Sequence, residues 1–215
     1  MNIIVMTRYG SLGASSRVRF FNFFEILISN GINIISNELI SNQKLKTLYD
    51  KGEYNLLDLV STYLKRFYFL YVNRNCKVLW LEKELLPWLP FKIEFFFLKE
   101  KHLILDIDDA IFHKYDQHPF WLIRKLFGKK IDKLMEKSNV VFAGSPYLAE
   151  RAKKSGAVNI ISVPTSVDTN KYQPKKRNFL KKNKTIKIVW IGSPSTIKYI
   201  LFLKDVFYKL SKYYN

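Results

Sequence analysis

The stretch IISVPTSVDTNKY, residues 160–172, decides how this chain is organised. It begins as an apolar, β-branched strand and continues as a turn and a polar segment that ends near Pro174. A second apolar run, IKIVWI at 186–191, leads into GSPST at 192–196 and then into a helix. This pattern predicts a seam between two α/β domains. We expect a first domain over 1–173, a linker over 174–185, and the start of an incomplete second domain over 186–215.

Strand and helix signals alternate along the rest of the chain. This alternation predicts an α/β fold, a Rossmann-like parallel sheet with helices on both faces. The predicted strands of the first domain are Asn2–Thr7, Ile32–Ile35, Cys76–Leu81, His102–Asp106, Val140–Ala143 and Asn159–Val163. Helices are predicted over 17–30, 54–71, 91–101, 120–137 and 197–213, with a further one that begins at Ser145-Pro146 and ends at Gly156.

Composition limits the classes of function. A chain of 215 residues with 48% hydrophobic residues can bury a core, and its one cysteine, Cys76, excludes an internal disulfide framework. The net charge of +18 indicates either an anionic partner or a general bias toward lysine. The anionic partner would be nucleic acid, acidic lipid or a phosphorylated substrate. No nucleic-acid-binding motif is present, and the basic runs at 175–177 and 181–182 fit a solvated linker, so we predict no nucleic-acid partner.

The location is predicted from what the sequence lacks. Residues 1–7 have no basic segment before a long apolar stretch, and no apolar run approaches the roughly 20 residues that span a bilayer. We therefore expect a cytoplasmic protein. The aromatic segments 20–24 and 95–97, flanked by lysines, leave open a peripheral contact with the inner face of the membrane.

Two loops of the first domain contain candidate site residues, because ligands of open parallel sheets bind outside the carboxyl ends of the strands. After strand one, Gly10 and Gly13 would let main-chain N–H groups approach an anion. Arg17 and Arg19 follow; being two apart on a helix, they cannot face the same way. One of them would contact substrate, unless the loop is a tight turn with a solvated arginine pair.

The loop after strand four contains three carboxylates, Asp106, Asp108 and Asp109. Their mutual repulsion is expected to raise a pKa. We predict that they activate or orient a hydroxyl group, or bind a cation; the alternative is that they cap a turn. His113 lies just downstream, but the spacing of the histidines is not that of a metal-binding motif, and no metal site is predicted.

The loop of the second domain, Gly192-Ser193-Pro194-Ser195-Thr196, precedes a helix and suits a diphosphate. The alternative is simple capping of that helix by Ser193, with Pro194 in its first turn.

Five motifs together resemble the group 1 glycosyltransferases, which are built from two facing Rossmann-like domains. The resemblance covers nearly the whole chain. The motifs are GASSRVR at 13–19, DIDDAIF at 106–112, AGSPYLA at 143–149, VPTSVDT at 163–169 with Tyr172, and WIGSPST at 190–196. The chain departs from the family in two places. Thr165-Ser166 replaces the usual Asn-Gly, as in a branch similar to cell-surface polysaccharide enzymes, and Asp108-Asp109 stands where many members have a histidine.

The resemblance implies transfer of a sugar from a nucleotide-sugar donor to a hydroxyl acceptor, with retention of configuration, and with no cofactor or essential metal. The partners would be the nucleotide-sugar and a glycan or lipid-linked acceptor. Asp108 and Asp109 are the catalytic candidates. The donor phosphates would meet Gly13, Ala14, Gly192, Ser193, Ser195 and Thr196, and the acceptor or substrate would meet Arg17, Arg19, Asp106 and His113.

The family's distal Arg/Lys pair and its Glu-x7-Glu motif have no counterpart before Asn215. We therefore expect an incomplete donor-binding domain and little turnover by the chain alone. Three alternatives stay open. The first is a non-catalytic remnant or partner subunit that binds an acceptor or a membrane. The second is a nucleic-acid binder, which only the net charge favours. The third is a sugar-nucleotide epimerase, although the motif around Asp168 favours a transferase.

Overall fold

The computed structural model of the chain describes residues 1–51, 56–174, 188–192 and 196–213. It forms two units, 1–167 and 168–215. The first unit contains one sheet of six strands, all parallel, which confirms the Rossmann-like α/β class. The strands are β1 (Asn2–Tyr9), β2 (Asn33–Ile40), β3 (Val78–Glu82), β4 (His102–Ile107), β5 (Val140–Ala143) and β6 (Ile160–Ser162), in the spatial order β2-β1-β3-β4-β5-β6.

Helices connect successive strands, as right-handed parallel crossovers require. Those of the first unit are α1 (Ala14–Arg19), α2 (Phe24–Ser29), α3 (Asn42–Lys51), α4 (Leu56–Val72), α5 (Phe91–Leu98), α6 (His113–Asp116), α7 (Trp121–Phe127), α8 (Lys130–Lys137) and α9 (Pro146–Lys154). The second unit contains α10 (Ile197–Leu201) and α11 (Lys204–Ser211). The predicted linker, 174–185, lies outside the described residues except for Pro174.

Three helices were predicted as continuous, and each of them is divided in the structure. The helix expected over 17–30 is divided into α1, a 3₁₀ turn and α2, because Phe20 leaves helical geometry and is fully buried. The helix expected over 120–137 is divided into α7 and α8 at Gly128, where a Cβ atom would collide with the carbonyl oxygen of Arg124. The helix expected over 197–213 is likewise divided into α10 and α11.

The strand predicted over 186–191 is also wrong over its described part, since residues 188–191 form no strand. A strand needs a neighbour with which to exchange main-chain hydrogen bonds. None is present among the described residues of the second unit, so an apolar, β-branched composition alone does not produce one.

The predicted start of α9 is confirmed in detail. The hydroxyl of Ser145 accepts a hydrogen bond from the Leu148 main-chain N–H at 3.4 Å, and Pro146 takes the first helical position. Gly156 follows the helix with a φ of 93°, a left-handed conformation that favours glycine. The local signals of serine, proline and glycine therefore mark both ends of this helix.

The two faces of the sheet are packed very differently. Alternate residues of a strand point to opposite faces, so in β1 Ile4 and Met6 join one core cluster, while Ile3 and Val5 join another. We call the first the packed face: side chains from α4, α5, α8 and α9 fill it. The second, the open face, buries Phe20 beside β1 and leaves Trp80 and Phe142 only half-buried.

Candidate functional site

The strand order places a switch point at the carboxyl ends of β1 and β3. From β1 the chain crosses to β2 on one side and then returns to β3 on the other. Loops that leave neighbouring strands in opposite directions open a crevice, where open α/β sheets bind ligands. Glu82, the last residue of β3, is paired in register with Asp106, the residue before the last of β4. Polar side chains from both strands are thereby brought to the crevice.

Glu82 joins the end of β1 to the start of α1. Its carboxylate is buried and accepts hydrogen bonds from the Arg8 main-chain N–H at 2.8 Å and the Ser16 hydroxyl at 2.7 Å, and the Ser15 hydroxyl oxygen lies 3.0 Å from it. The Ser16 hydroxyl in turn accepts a bond from the Tyr9 N–H at 3.1 Å. The sequence analysis missed Glu82, although a charged residue that ends a buried strand was a usable signal.

Lys83 and Ser15 hold Asp108 in place. The Ser15 hydroxyl donates a short hydrogen bond to Asp108, and the Lys83 ammonium lies 3.0 Å from its other oxygen. Burial opposes ionisation of Asp108, but Lys83 and the Ser15 bond outweigh it and lower the pKa. Lys83 has a φ of 63°, which is strained for a side chain with a Cβ atom. This strain indicates that the position of its ammonium group matters to the site.

Asp109 is the accessible carboxylate of the group. One of its oxygens lies 2.7 Å from the Lys83 ammonium, yet its side chain is 69% exposed. Asp108 and Asp109 therefore share one cation but differ in access, since the Asp108 side chain is only 13% exposed. Of the two predicted catalytic residues, Asp109 is the one that an incoming molecule can reach.

Arg19 and Asp106 form a buried ion pair, with 2.5 Å between Nε and Oδ1. Burial raises the pKa of Asp106 to about 6, although the hydrogen bond from Arg19 works against it. Arg19 Nη1 also donates to the Val163 carbonyl at 2.8 Å, which ties α1 to the segment after β6. Arg17, by contrast, is exposed and donates to the Ser11 carbonyl at 3.3 Å. The two arginines thus diverge, as their spacing predicts.

A cavity of about 310 Å³ lies over the open face beside this ion pair. Its wall is apolar apart from Arg19, Asp106 and the segment 163–166. Two buried donors of lining residues, Arg19 Nη2 and Trp80 Nε1, have no hydrogen-bond partner within the described part of the chain. The largely apolar wall suits a molecule with an apolar body.

The glycine loop after β1 owes its glycines to close packing. The Gly13 N–H donates to the Gly10 carbonyl at 2.9 Å, so this amide is occupied. A Cβ atom on Gly13 would collide with the Tyr9 side chain, and one on Gly10 would collide with Asn42. Ala14 is the first residue of α1. A phosphate contact at Gly13 and Ala14 stays a prediction.

The remaining predicted residues are His113 and four residues from the segment 192–196. His113 contacts Asp116 at 2.9 Å through Nδ1 and Tyr147 at 2.7 Å through Nε2. Gly192 and Thr196 belong to the second unit, and Ser193 and Ser195 lie outside the described residues. A donor-phosphate role for these four residues stays a prediction.

A second charged network lies behind the edge. Glu84 contacts Lys130 at 2.8 Å, Arg8 at 3.2 Å and the Tyr115 hydroxyl at 2.8 Å. Glu94 lies 2.9 Å from Lys130, and burial raises its pKa to about 7. Charges here nearly balance, although the chain carries +18. The carboxylates are Glu82, Glu84, Glu94, Asp106, Asp108 and Asp109, and the cations are Arg8, Arg19, Lys83, Lys114 and Lys130.

Balanced charge makes the edge better suited to a neutral polyol than to a free polyanion. Among the described residues, no group of three His, Cys, Asp or Glu side chains is placed to hold a metal ion. Within the same residues, no helix has the length and apolar character needed to cross a bilayer.

No model of a known protein family matches the chain, and no curated protein matches it.

Proposed function

We propose that this chain takes part in the transfer of a sugar from a nucleotide-sugar donor to a hydroxyl acceptor in cell-surface polysaccharide or glycolipid synthesis. The observation that carries the proposal is the exposed carboxylate of Asp109 at the crevice beside the switch point. A carboxylate can accept hydrogen bonds from sugar hydroxyls and can remove a proton from one of them. The motifs shared with group 1 glycosyltransferases support the same assignment.

The chemistry divides between two carboxylates. Asp108 stays ionised and fixed by Ser15 and Lys83, so it holds Lys83 in position. Asp109 then orients, and deprotonates, the attacking hydroxyl. The donor diphosphate would be received at the Gly13 loop, where the exposed guanidinium of Arg17 supplies positive charge. The loop 192–196 would supply further donor contacts.

The cavity over the open face suits the apolar part of a lipid-linked acceptor. It adjoins Arg19 and Asp106, which the sequence also assigned to the acceptor. Such an acceptor would be met at the inner face of the membrane, so the proposal includes a cytoplasmic protein in peripheral contact with a bilayer.

A second candidate is a non-catalytic role in binding the acceptor. It is favoured by the saturation of the carboxylates: Glu82, Asp106 and Asp108 are all occupied by donors of this chain. Asp109 also contacts Lys83, so it could bind a hydroxyl without taking its proton. In this case the chain would supply the acceptor side of an enzyme whose donor side lies in another polypeptide.

Turnover distinguishes the two candidates. The chain is incubated with UDP-, GDP- and dTDP-sugars, with and without a bacterial lipid extract, and release of nucleoside diphosphate is measured. Transfer predicts release at the low rate expected of the chain alone, and Asp109→Asn should abolish it. Glu150→Gln, which changes an exposed carboxylate on α9, is the matched control and should leave release unchanged.

Release that is insensitive to Asp109→Asn would contradict the catalytic assignment. Saccharide binding, detected by saturation-transfer NMR and lost in Asp109→Asn, with no release under any condition, would support the binding role. Absence of both release and binding would reject both candidates.

A further inference from the structure

The helix α7 presents an unusual surface. Four large apolar side chains within seven consecutive residues are exposed: Phe120 at 69%, Trp121 at 62%, Leu122 at 50% and Leu126 at 59%. Single exposed apolar residues are ordinary, but a contiguous group marks an interaction site. We call these four residues, with Arg124, Lys125 and Lys129, the α7 surface.

The helix is firmly attached to the first unit. Ile123 and Phe127, on its other side, pack against the main core cluster. The Arg124 guanidinium bonds the carbonyls of His118 at 2.5 Å and Pro119 at 2.7 Å, which fixes the entry to the helix. The exposed apolar residues therefore belong to a rigid element, because their neighbours hold the backbone in place.

Positive charge surrounds the apolar residues. Arg124, Lys125 and Lys129 are exposed, and the Lys125 ammonium lies 5.7 Å from the centre of the Trp121 ring. Between 118 and 137 only two acidic residues occur, and both are paired: Asp132 with Arg151 at 2.7 Å and Glu136 with Lys137 at 2.6 Å. The surface thus has no free carboxylate to repel an anionic partner.

This combination identifies the partner as lipid. Tryptophan and phenylalanine occupy the headgroup level of a bilayer, leucine enters the acyl boundary, and lysine and arginine attract anionic headgroups. Seven residues of helix extend only about 10 Å, so the helix would lie on the membrane.

We infer that the α7 surface docks this chain onto a bilayer that contains anionic lipid, with Phe120 and Trp121 at the headgroup level. The proposed function includes a membrane contact, and the α7 surface is the part of the chain that would make it. Only the purpose of this contact rests on the proposed function. The inference moves that contact away from the aromatic segments 20–24 and 95–97, for which the sequence left it open. Phe20 is fully buried, and in 95–97 only Phe96 is exposed, at 66%.

Vesicle sedimentation tests the inference without any measurement of turnover. The full chain should bind vesicles of phosphatidylcholine mixed with phosphatidylglycerol and bind pure phosphatidylcholine vesicles weakly. The double variant Phe120→Ser/Trp121→Ser should lower the partition coefficient by at least about tenfold. Lys125→Glu/Lys129→Glu should lower it by about fivefold or more for each lost cation.

Matched controls use exposed aromatic residues elsewhere. Tyr68→Ser/Tyr71→Ser on α4 removes side chains that are 71% and 65% exposed and should leave the partition coefficient unchanged. Phe96→Ser on α5 should also leave it unchanged. Circular dichroism at the temperature of the assay checks that each variant is folded. We expect all of them to fold, because exposed positions should tolerate serine.

Several outcomes would overturn the inference. One is a Phe120→Ser/Trp121→Ser variant that binds mixed vesicles as well as the wild type, which would reduce binding to charge alone. Another is equal loss from Phe96→Ser, which would move the contact to α5. A third is self-association of the wild type in sedimentation velocity that the double variant abolishes, because the surface would then be an interface between copies of the chain. Failure of sugar transfer with normal vesicle binding would leave the inference standing.

Discussion

The packed and open faces of the same sheet use neighbouring residues for different purposes. On the packed face, Leu105 is fully buried within a cluster to which the helices α4 to α9 contribute. One residue away in the same strand, Ile104 is half-buried and lines the cavity on the open face. A parallel sheet normally needs both faces covered. The difference indicates that one face maintains the fold, while the other leaves room for a ligand.

The largest expected effect comes from the buried charges behind the packed face. Lys130→Met leaves Glu84 and Glu94 without their shared cation, and we expect a loss of about 3–5 kcal/mol in the free energy of unfolding. Arg19→Met, beside the cavity, should cost less, because it leaves one carboxylate unpaired where Lys130→Met leaves two, and because water can enter. Urea unfolding at neutral pH measures both. A larger loss for Arg19→Met would contradict the distinction between the faces.

Truncation of neighbouring core residues sharpens the same comparison. Leu105→Ala creates a void within close packing and should cost about 2–5 kcal/mol. Ile104→Ala only enlarges an existing cavity, so its cost should stay below about 1 kcal/mol. The two changes remove similar volumes from one strand, and urea unfolding compares them directly. Equal losses would show that the open face is as tightly packed as the other.

The pH dependence of stability separates the two buried carboxyls. In the folded state burial raises the pKa of Glu94 to about 7 and that of Asp106 to about 6, above their values in the unfolded chain. The folded state therefore binds more protons, and stability falls as pH rises from about 4.5 toward each folded pKa. Glu94→Gln should flatten this decline up to about pH 7, and Asp106→Asn only up to about pH 6.

Unfolding free energies collected in steps across this range test that prediction. The slope of each variant is compared with that of the wild type over the same interval. The prediction would be contradicted if neither variant changed the slope of unfolding free energy against pH. It would also be contradicted if the stability of the wild type rose with pH over this interval.

The smallest effect is expected from filling the cavity. Ile104→Phe adds apolar volume where space exists, so the free energy of unfolding should change by no more than about 0.5 kcal/mol. Leu105→Phe, the matched change on the packed face, forces extra atoms into a full core and should cost about 1–3 kcal/mol. Chemical unfolding of the pair measures the contrast. A substantial loss from Ile104→Phe would mean that the cavity does not exist in solution.

The parts of the fold that local chemistry determines could be predicted. Five of the six strands contain a short apolar run, β2 begins with one before Ser36, and Ser145, Pro146 and Gly156 mark α9 directly. Elements that depend on tertiary contacts could not be predicted. The helix α1 ends at Phe20 because the ring of Phe20 is buried in the core, and α3 was missed because its sequence is polar overall.

The candidate site was predicted in part. Asp106, Asp108 and Asp109 were found because they follow a buried strand. The residues that contact these carboxylates were not predicted. Which loops meet depends on the order of the strands, because the chain returns from β2 to form β3 on the other side of β1. Lys83 comes from that neighbouring strand, so its contact with Asp108 and Asp109 depends on strand order. One sequence does not specify that order.

The most direct test of the account is a ¹H–¹⁵N NMR titration of the full chain with glycan acceptors. If the crevice beside the switch point binds the acceptor, the amide signals of 108–113 and of the Gly13 loop should shift together. The same titration of Asp109→Asn should abolish those shifts while the spectrum stays folded. Shifts confined to other parts of the chain, or identical shifts in the variant, would contradict the assignment of this edge as the acceptor site.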